Sequence, residues 1–436
     1  MTGAKWARAA AVASLVVAAL VLYWPQYDLN KKVSFLGYEV FAVAESLVKH
    51  HSFADPFLPM PTGPTAHVPP AFPAYLAVIF AVFGQGGVAA GVLKWGALIM
   101  FAAQLAWLPF LTSRMQLGFW TGVLAGIAWL GADIPPVIVS DATFTSLLVM
   151  VASYLMVRRF EGQFSRTLLF LWSAIWAGLM LTQPAALLVF IFGMALLHFS
   201  SIKSVRRSLV LILLPMLLVA PWIARNFVVF HKLFFVRDNL GIEMSVSNRS
   251  CATPLFDVNE ASRCFSEIHP NENFVEAVEV RELGEIEFNR LRMEEATAWI
   301  KANPATFARL SAERFIAFWF PPVGKRESSG VILRPWVLYC FTVLSIPGVF
   351  LMWRYARPGS YVVGLWVLFF PPTYYFIQYM LRYRYPILWA SFVPGSYFLV
   401  HMAQGIWIKS ADPLSLQSQT RRSTRKSRVR KRPVYR

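Results

Sequence analysis

Charge is scarce in this chain. Only 15% of its 436 residues are Asp, Glu, Lys or Arg, and 57% are hydrophobic. An ordinary soluble domain carries about 25% charge, so a soluble globular protein is excluded. Acidic residues are the scarcer kind, 23 against 41 Lys and Arg. The excess of +18 does not mark a nucleic-acid-binding protein, because ten of the basic residues lie between Lys409 and Arg436 beside a single Asp. Cysteine is nearly absent. Cys340 lies in an apolar run; Cys251 and Cys264 share a polar region and either pair, if that region meets an oxidising compartment, or remain two free thiols. A glycine-rich phosphate loop, an HExxH helix and a nucleophile elbow are also missing, which removes the chemistries that depend on them.

What is abundant is apolar sequence bordered by aromatic residues, with 16 Trp and 36 Phe, the composition of a polytopic membrane protein. The first run, about 9–24, follows Lys5 and Arg8 as in a signal peptide. Tyr-Trp-Pro-Gln-Tyr stands where a small-residue cleavage site would be, so it reads as a retained helix with its N-terminus inside. Further spans are expected at roughly 88–111, 118–132, 141–157, 167–181, 183–199, 208–224, 334–353, 360–378 and 386–407. Basic clusters at Arg158/Arg159/Arg166, Lys203/Arg206/Arg207, Arg354/Arg357 and in the tail mark cytoplasmic ends. The apolar piece 70–83 falls short of the about twenty residues of a crossing, and counting it as one would put Arg158 and Arg159 outside. It is read as an interfacial helix.

The expected fold is therefore an all-α polytopic membrane protein with about ten transmembrane helices, both termini cytoplasmic, in the inner (plasma) membrane. Residues 1–224 form a membrane module with the outer loop 25–87. Residues 225–333 form a small, mainly helical extracytoplasmic subdomain, 334–408 the last spans, and 409–436 a disordered basic tail.

The candidate chemistry lies on the outer side. Glu39 opens an amphipathic helix running to His50; an acid there also suits the helix dipole, but one kept beside the bilayer calls for a use. Asp141 opens a span and reads equally as a helix cap. Arg382, Tyr383 and Arg384 stand at the outer end of the last span, against the positive-inside bias, where a forked guanidinium suits a phosphate. Arg225 and Arg237 raise the same question at another outer boundary. His67 and His269, with Arg237, are candidate substrate-binding residues. His50, His51 and Asp55 are candidate ligands of a divalent metal, although their spacing matches no named metal motif. No other cofactor is expected.

In order, the terminal span, the long first outer loop with an acid on a juxtamembrane helix, and Pro-Pro-x-x-Pro-x-x-x-Ala-x-x-Phe-x-x-Phe-Gly resemble the GT-C glycosyltransferases. The type most similar is the protein O-mannosyltransferase and aminoarabinose transferase group. Gly-Pro-Thr-Ala (63–66), Pro-Trp-Ile-Ala-Arg-Asn (221–226), Val-Arg-Asp-Asn-Leu-Gly-Ile-Glu (236–243) and Arg-Tyr-Arg-Tyr-Pro (382–386) carry the resemblance further, from Met1 to about Ala411. Much of that family has Asp-Glu at the start of the first loop; here Leu36-Gly37 occupies the position and Tyr38-Glu39 follows. Glu39 takes over the role from a neighbouring turn, shares it with Asp141, or the role is lost.

The resemblance implies an inverting transfer of a sugar from a polyprenyl-phosphate donor to a glycan, lipid or protein acceptor outside. Glu39 would act as the base, and Arg382, Arg384, Arg225 and Tyr383 would hold the donor phosphate. Membrane lipid is the other expected partner, and no nucleic acid. A lipid-linked saccharide transporter or flippase is the alternative, as is a non-catalytic scaffold of this fold; charge is nearly absent from mid-span, which favours an enzyme open to one side.

Overall fold

A computed structural model describes residues 2–24, 39–138, 140–163, 165–322 and 334–411. Leu36, Gly37 and Tyr38, and the basic tail after Ala411, lie outside the described residues. Helix α1 (Thr2–Tyr23) is followed by α2 (Glu39–His50), α3 (Ala71–Phe83), α4 (Gly87–Arg114), α5 (Phe119–Gly131), α6 (Ala142–Phe160), α7 (Arg166–Thr182), α8 (Ala186–Leu197) and α9 (Val205–Phe230). The polar region holds α10 (Leu240–Ser247), α11 (Phe256–Ala261), α12 (Phe274–Leu283), α13 (Glu285–Ala302) and α14 (Pro304–Trp319). Then come α15 (Arg334–Tyr355), α16 (Arg357–Phe369), α17 (Leu381–Arg384) and α18 (Trp389–Ala411). Among the described residues the only β pairing is two isolated bridges.

Helices α1, α4, α6, α9 and α15 are long and apolar enough to cross a bilayer. Helices α5, α7 and α8 are apolar but have 13, 17 and 12 residues, and α18 has 23; among the described residues, five helices meet both the length and the apolar composition of a crossing. The run expected to cross over 360–378 stops as helix at Phe369. Pro371 and Pro372 follow, and neither can donate to a continuing helix; the chain turns through a 3₁₀ segment, Pro372–Tyr375, instead. The piece expected to be interfacial is α3, 13 residues long, which buries Phe72, Leu76 and Phe80 against Phe41 of α2 and Leu93 of α4.

The membrane body is closed by large buried rings, among them Trp129, Trp172, Trp176, Trp366 and Trp389, with Trp176 and Trp366 stacked at 5.9 Å. Helices α15 and α18 touch backbone to backbone at Gly348, where an added Cβ would lie 2.1 Å from the Pro394 carbonyl oxygen. In the polar region Gly241 lets α10 lie equally close to α13: a Cβ there would be 1.9 Å from the Asn289 oxygen. Fully buried Arg314 ties α14 to Asn248 (2.9 Å), to the Phe376 carbonyl (3.0 Å) and to the Ser247 carbonyl. Arg292 binds Glu276, Glu279 and Glu295 at 2.6–2.8 Å. Cys251 and Cys264 are joined as a disulfide.

Candidate active site

Three elements meet at one site. Glu39 is the first residue of α2, whose face of Phe41, Val43 and Ala44 is buried. His67 comes from the strip that follows the Gly63 turn (φ 90°). This strip is tied down throughout: Thr65 N–H donates to the Phe53 carbonyl (3.1 Å), Asp238 N–H to the Ala66 carbonyl (3.0 Å), and His67 N–H to Thr65 Oγ1 (2.9 Å). His269, between α11 and α12, stacks on Phe265 at 4.3 Å, and Phe57 lies edge-on to both imidazoles, at 5.0 Å from His67 and 6.0 Å from His269. Ligand atoms of Glu39, His67 and His269 all lie within 4.8 Å of one another.

The electrostatics follow from burial. His67 and His269 are 3% and 4% exposed. Burial, and then the Arg237 charge, keeps His67 neutral far below the usual imidazole range; burial, and then Arg382, pushes His269 down to about 3. Burial raises the Glu39 carboxyl above its ordinary value, opposed by its own helix N–H and by Arg382 and Arg237, while Glu243 adds to the rise. Arg382 and Arg237 also act on Asp141 and Tyr374. The Arg382 guanidinium lies over the Tyr383 ring at 5.5 Å, Tyr383 stacks on Tyr374 at 4.7 Å, and Arg237 pairs with Glu243 at 4.0 Å.

Glu39, Asp141, His67, His269, Arg237, Arg382 and Tyr383 are thus gathered into one electrostatic neighbourhood. Asp141 does not cap α6 with its side chain; it accepts from Thr145 Oγ1 at 2.9 Å. The other two arginines are spent elsewhere. Arg384, with no exposure, donates to the Trp319 carbonyl (2.5 Å), Thr342 Oγ1 (2.7 Å) and Ser391 Oγ (3.0 Å). Arg225 donates to the carbonyls of Thr65 (2.8 Å) and Phe53 (3.0 Å), pinning the outer loop to α9. His50 and His51 are exposed at the end of α2, and Asp55 accepts from Gly63 N–H at 2.8 Å; they are not brought to the cluster.

Three residues of the site escape a reading of the sequence. Glu243 closes the stretch 236–243 but is marked only by its Arg237 partner. Glu285, 4% exposed, accepts from Thr65 Oγ1 (2.5 Å) and Ala66 N–H (2.6 Å) and so holds the strip that carries His67. Tyr374 follows the Pro371-Pro372 break, which is its only signal. A cavity of about 680 Å³ adjoins this strip, lined by Gly63, Phe230, Lys232, Arg281 and Glu285, and Glu39, His67 and His269 do not line it.

The cluster suits a divalent cation in its donor set, one carboxylate and two neutral imidazoles. His67 Nδ1 is buried and has no hydrogen-bond partner. Against it, His269 Nδ1 accepts the Asn271 N–H at 3.2 Å; a cation on Nδ1 would replace that bond, and one on Nε2 would need the proton moved to Nδ1.

No protein-family model matches the chain, and no curated protein matches it in sequence. Two solved structures of the Archaeoglobus fulgidus oligosaccharyltransferase do match in structure. One, tethered to an acceptor peptide containing the NVT sequon, aligns with TM-score 0.54 at 12% identity over 94% of this chain and 51% of that one. The fold resembles that of an oligosaccharyltransferase. The other, in complex with an inhibitory peptide and a dolichol-phosphate, gives TM-score 0.49 at 13% identity over 93% and 51%. This chain spans about half the length of those proteins, and at such identity the likeness is one of fold.

Proposed function

We propose that this chain is an integral-membrane glycosyltransferase that moves a sugar from a polyprenyl-phosphate donor to an extracytoplasmic glycan, lipid or protein acceptor, with inversion. The observation that carries the proposal is the convergence of a half-buried carboxyl, Glu39, with two guanidiniums, Arg237 and Arg382, beside two neutral imidazoles. Glu39 takes the proton of the acceptor hydroxyl or amine as that atom attacks the sugar C1. Its raised pKa brings it closer to the working pH, which suits a base. The bond to the lipid phosphate breaks, and Arg382 with Arg237 stabilises the charge left on the phosphate. Arg225 and Arg384 hold the scaffold. Asp141 lies in the same field and supports the acceptor side. Residues 225–333 form the extracytoplasmic subdomain that helps to bind the acceptor, and the outer cavity beside Glu285 gives it a place there.

A second assignment rests on the grouping of Glu39 with His67 and His269. These three would hold a divalent cation, which would supply positive charge beside the leaving phosphate; Glu39 is then a ligand and Asp141 the base. Ten spans with cytoplasmic termini in the plasma membrane complete the proposal, the basic clusters on alternate loops supporting it. The concentration of charged groups at one outer edge favours an enzyme over a flippase.

The test is sugar transfer in membranes containing inserted Glu39→Gln, Asp141→Asn or His67→Ala, with and without a chelator. Loss in Glu39→Gln alone, insensitive to chelator, supports the base. Chelator sensitivity with loss in all three supports the cation. Full turnover in Glu39→Gln contradicts both.

A further inference from the structure

Tyr374 lies in the 3₁₀ turn forced by Pro371 and Pro372. It is 5% exposed, and its hydroxyl is buried without a hydrogen-bond partner among the described residues. A buried phenol ordinarily finds an acceptor, and leaving it without one is costly. The ring is held on three sides: stacked on Tyr383 at 4.7 Å, parallel to Phe318 at 6.2 Å, and inclined to Phe370 at 5.7 Å. That packing fixes the direction of the hydroxyl, so it does not swing to a partner. The nearby carboxylate of Asp141 acts on it electrostatically but accepts from Thr145 instead.

A second donor in the same field is also unmet. Arg237 Nε is buried and makes no hydrogen bond, while the guanidinium's ion pair to Glu243 is long, at 4.0 Å. Arg382 is half-exposed, is hydrogen-bonded to Tyr383, and among the described residues has no carboxylate in salt-bridge contact, so the rest of its fork is left for another acceptor. Tyr374, Arg237 and Arg382 lie close enough to act on one another electrostatically, so the surplus in this neighbourhood is of donors. The complementary group accepts several hydrogen bonds at once and is negative, which describes phosphate oxygens.

We propose that Tyr374 is a donor-binding residue whose hydroxyl donates to an anionic oxygen of a lipid phosphate, together with Arg237 Nε and Arg382. This rests on the glycosyltransferase reading and adds to it the group that fixes the orientation of the phosphate. Tyr374→Phe keeps the ring stack and removes only the unmet hydroxyl.

The experiment uses the full chain in nanodiscs and measures binding of a long-chain polyprenyl phosphate, of inorganic phosphate, and thermal unfolding without ligand. Tyr379→Phe is the control, because the Tyr379 hydroxyl is also buried and unmet but faces Arg384 and Tyr339 rather than the cluster. The expected results are a roughly tenfold loss of polyprenyl-phosphate affinity in Tyr374→Phe, the size of one lost hydrogen bond to a charged group. Affinity in Tyr379→Phe stays unchanged, and the unfolding temperature of Tyr374→Phe is equal to or above that of wild type. Equal polyprenyl-phosphate affinity in wild type and Tyr374→Phe overturns the role of Tyr374 alone. A large fall in the unfolding temperature overturns it too, by showing a structural hydroxyl. Binding of inorganic phosphate as tight as that of the lipid, with the same dependence on Tyr374, overturns the assignment to lipid. No binding of polyprenyl phosphate by wild type overturns the glycosyltransferase reading itself.

Discussion

Replacing Glu285 by glutamine should remove from the pH dependence of stability one component that falls as pH rises. The carboxyl is buried at the start of α13 and holds Thr65 and Ala66 by two hydrogen bonds. Burial nevertheless lifts its pKa from 4.5 to about 8, and the two hydrogen bonds only reduce the rise. In the unfolded chain the group titrates near 4.5. Between these values the native state holds a proton that the unfolded state has lost, so stability is greatest below about pH 4.5, falls as pH rises towards 8, and then levels. A difference of about 3.5 units, at about 1.4 kcal/mol each, amounts to roughly 5 kcal/mol lost across the interval. Glutamine imitates the protonated acid and can still accept the Ala66 N–H. Thermal unfolding of purified protein, disulfide intact, measured from pH 5 to 8.5, should show wild type losing stability relative to Glu285→Gln as pH rises, with the variant the more stable above pH 8; the buried neutral His67 and His269 also make stability depend on pH, but equally in both proteins, so they cancel in the difference. Parallel curves would refute the reasoning. Glu285→Ala, which loses both anchors of the His67 strip, should be less stable than Glu285→Gln at every pH.

Four further outcomes are expected. Gly241→Ala should cost several kcal/mol of stability or prevent insertion, since its Cβ would sit 1.9 Å from a backbone oxygen of α13; overpacking alone costs about 1–3 kcal/mol where neighbours can yield, and backbone yields less than a side chain. Arg384→Ala should lower stability by about 3 kcal/mol, leaving three buried acceptors unmet, while Arg382→Ala should leave the unfolding temperature nearly unchanged and abolish transfer. Arg225→Lys should increase proteolysis of the loop 53–66, because one ammonium cannot replace a fork that reaches two carbonyls. Reduction of Cys251–Cys264 should lower the unfolding temperature measurably, about 3 kcal/mol being typical for a loop of this size.

Hydrophobic runs made most helices legible. The short α3 was legible as a helix too, from its apolar run and its 13-residue length. The same runs misled after Phe369, where apolar composition continues through Phe370, Tyr374, Tyr375 and Ile377 although two prolines end the helix. Glu39 could be singled out because an acid beside the bilayer is unusual. Its partners could not be derived as a set: His67 and His269 lie in different regions, and nothing local pairs them. Glu285 reaches Thr65 across 220 positions, beyond any spacing rule. The arginines show the limit most clearly. Arg382 and Arg384 are identical in type and setting along the chain, yet one faces the cluster and the other is consumed by three oxygens of the scaffold. Only packing separates a ligand-binding guanidinium from a structural one.

The most direct test of the central claim is transfer itself. Purified chain in lipid vesicles, supplied with radiolabelled polyprenyl-phosphate sugars and an extract of envelope acceptors, should release free polyprenyl phosphate and label the acceptor at the outer face. Arg382→Ala and Glu39→Gln should lose this transfer while remaining inserted and folded. Label that stays on the lipid with wild type, or full transfer by Glu39→Gln, would contradict the account.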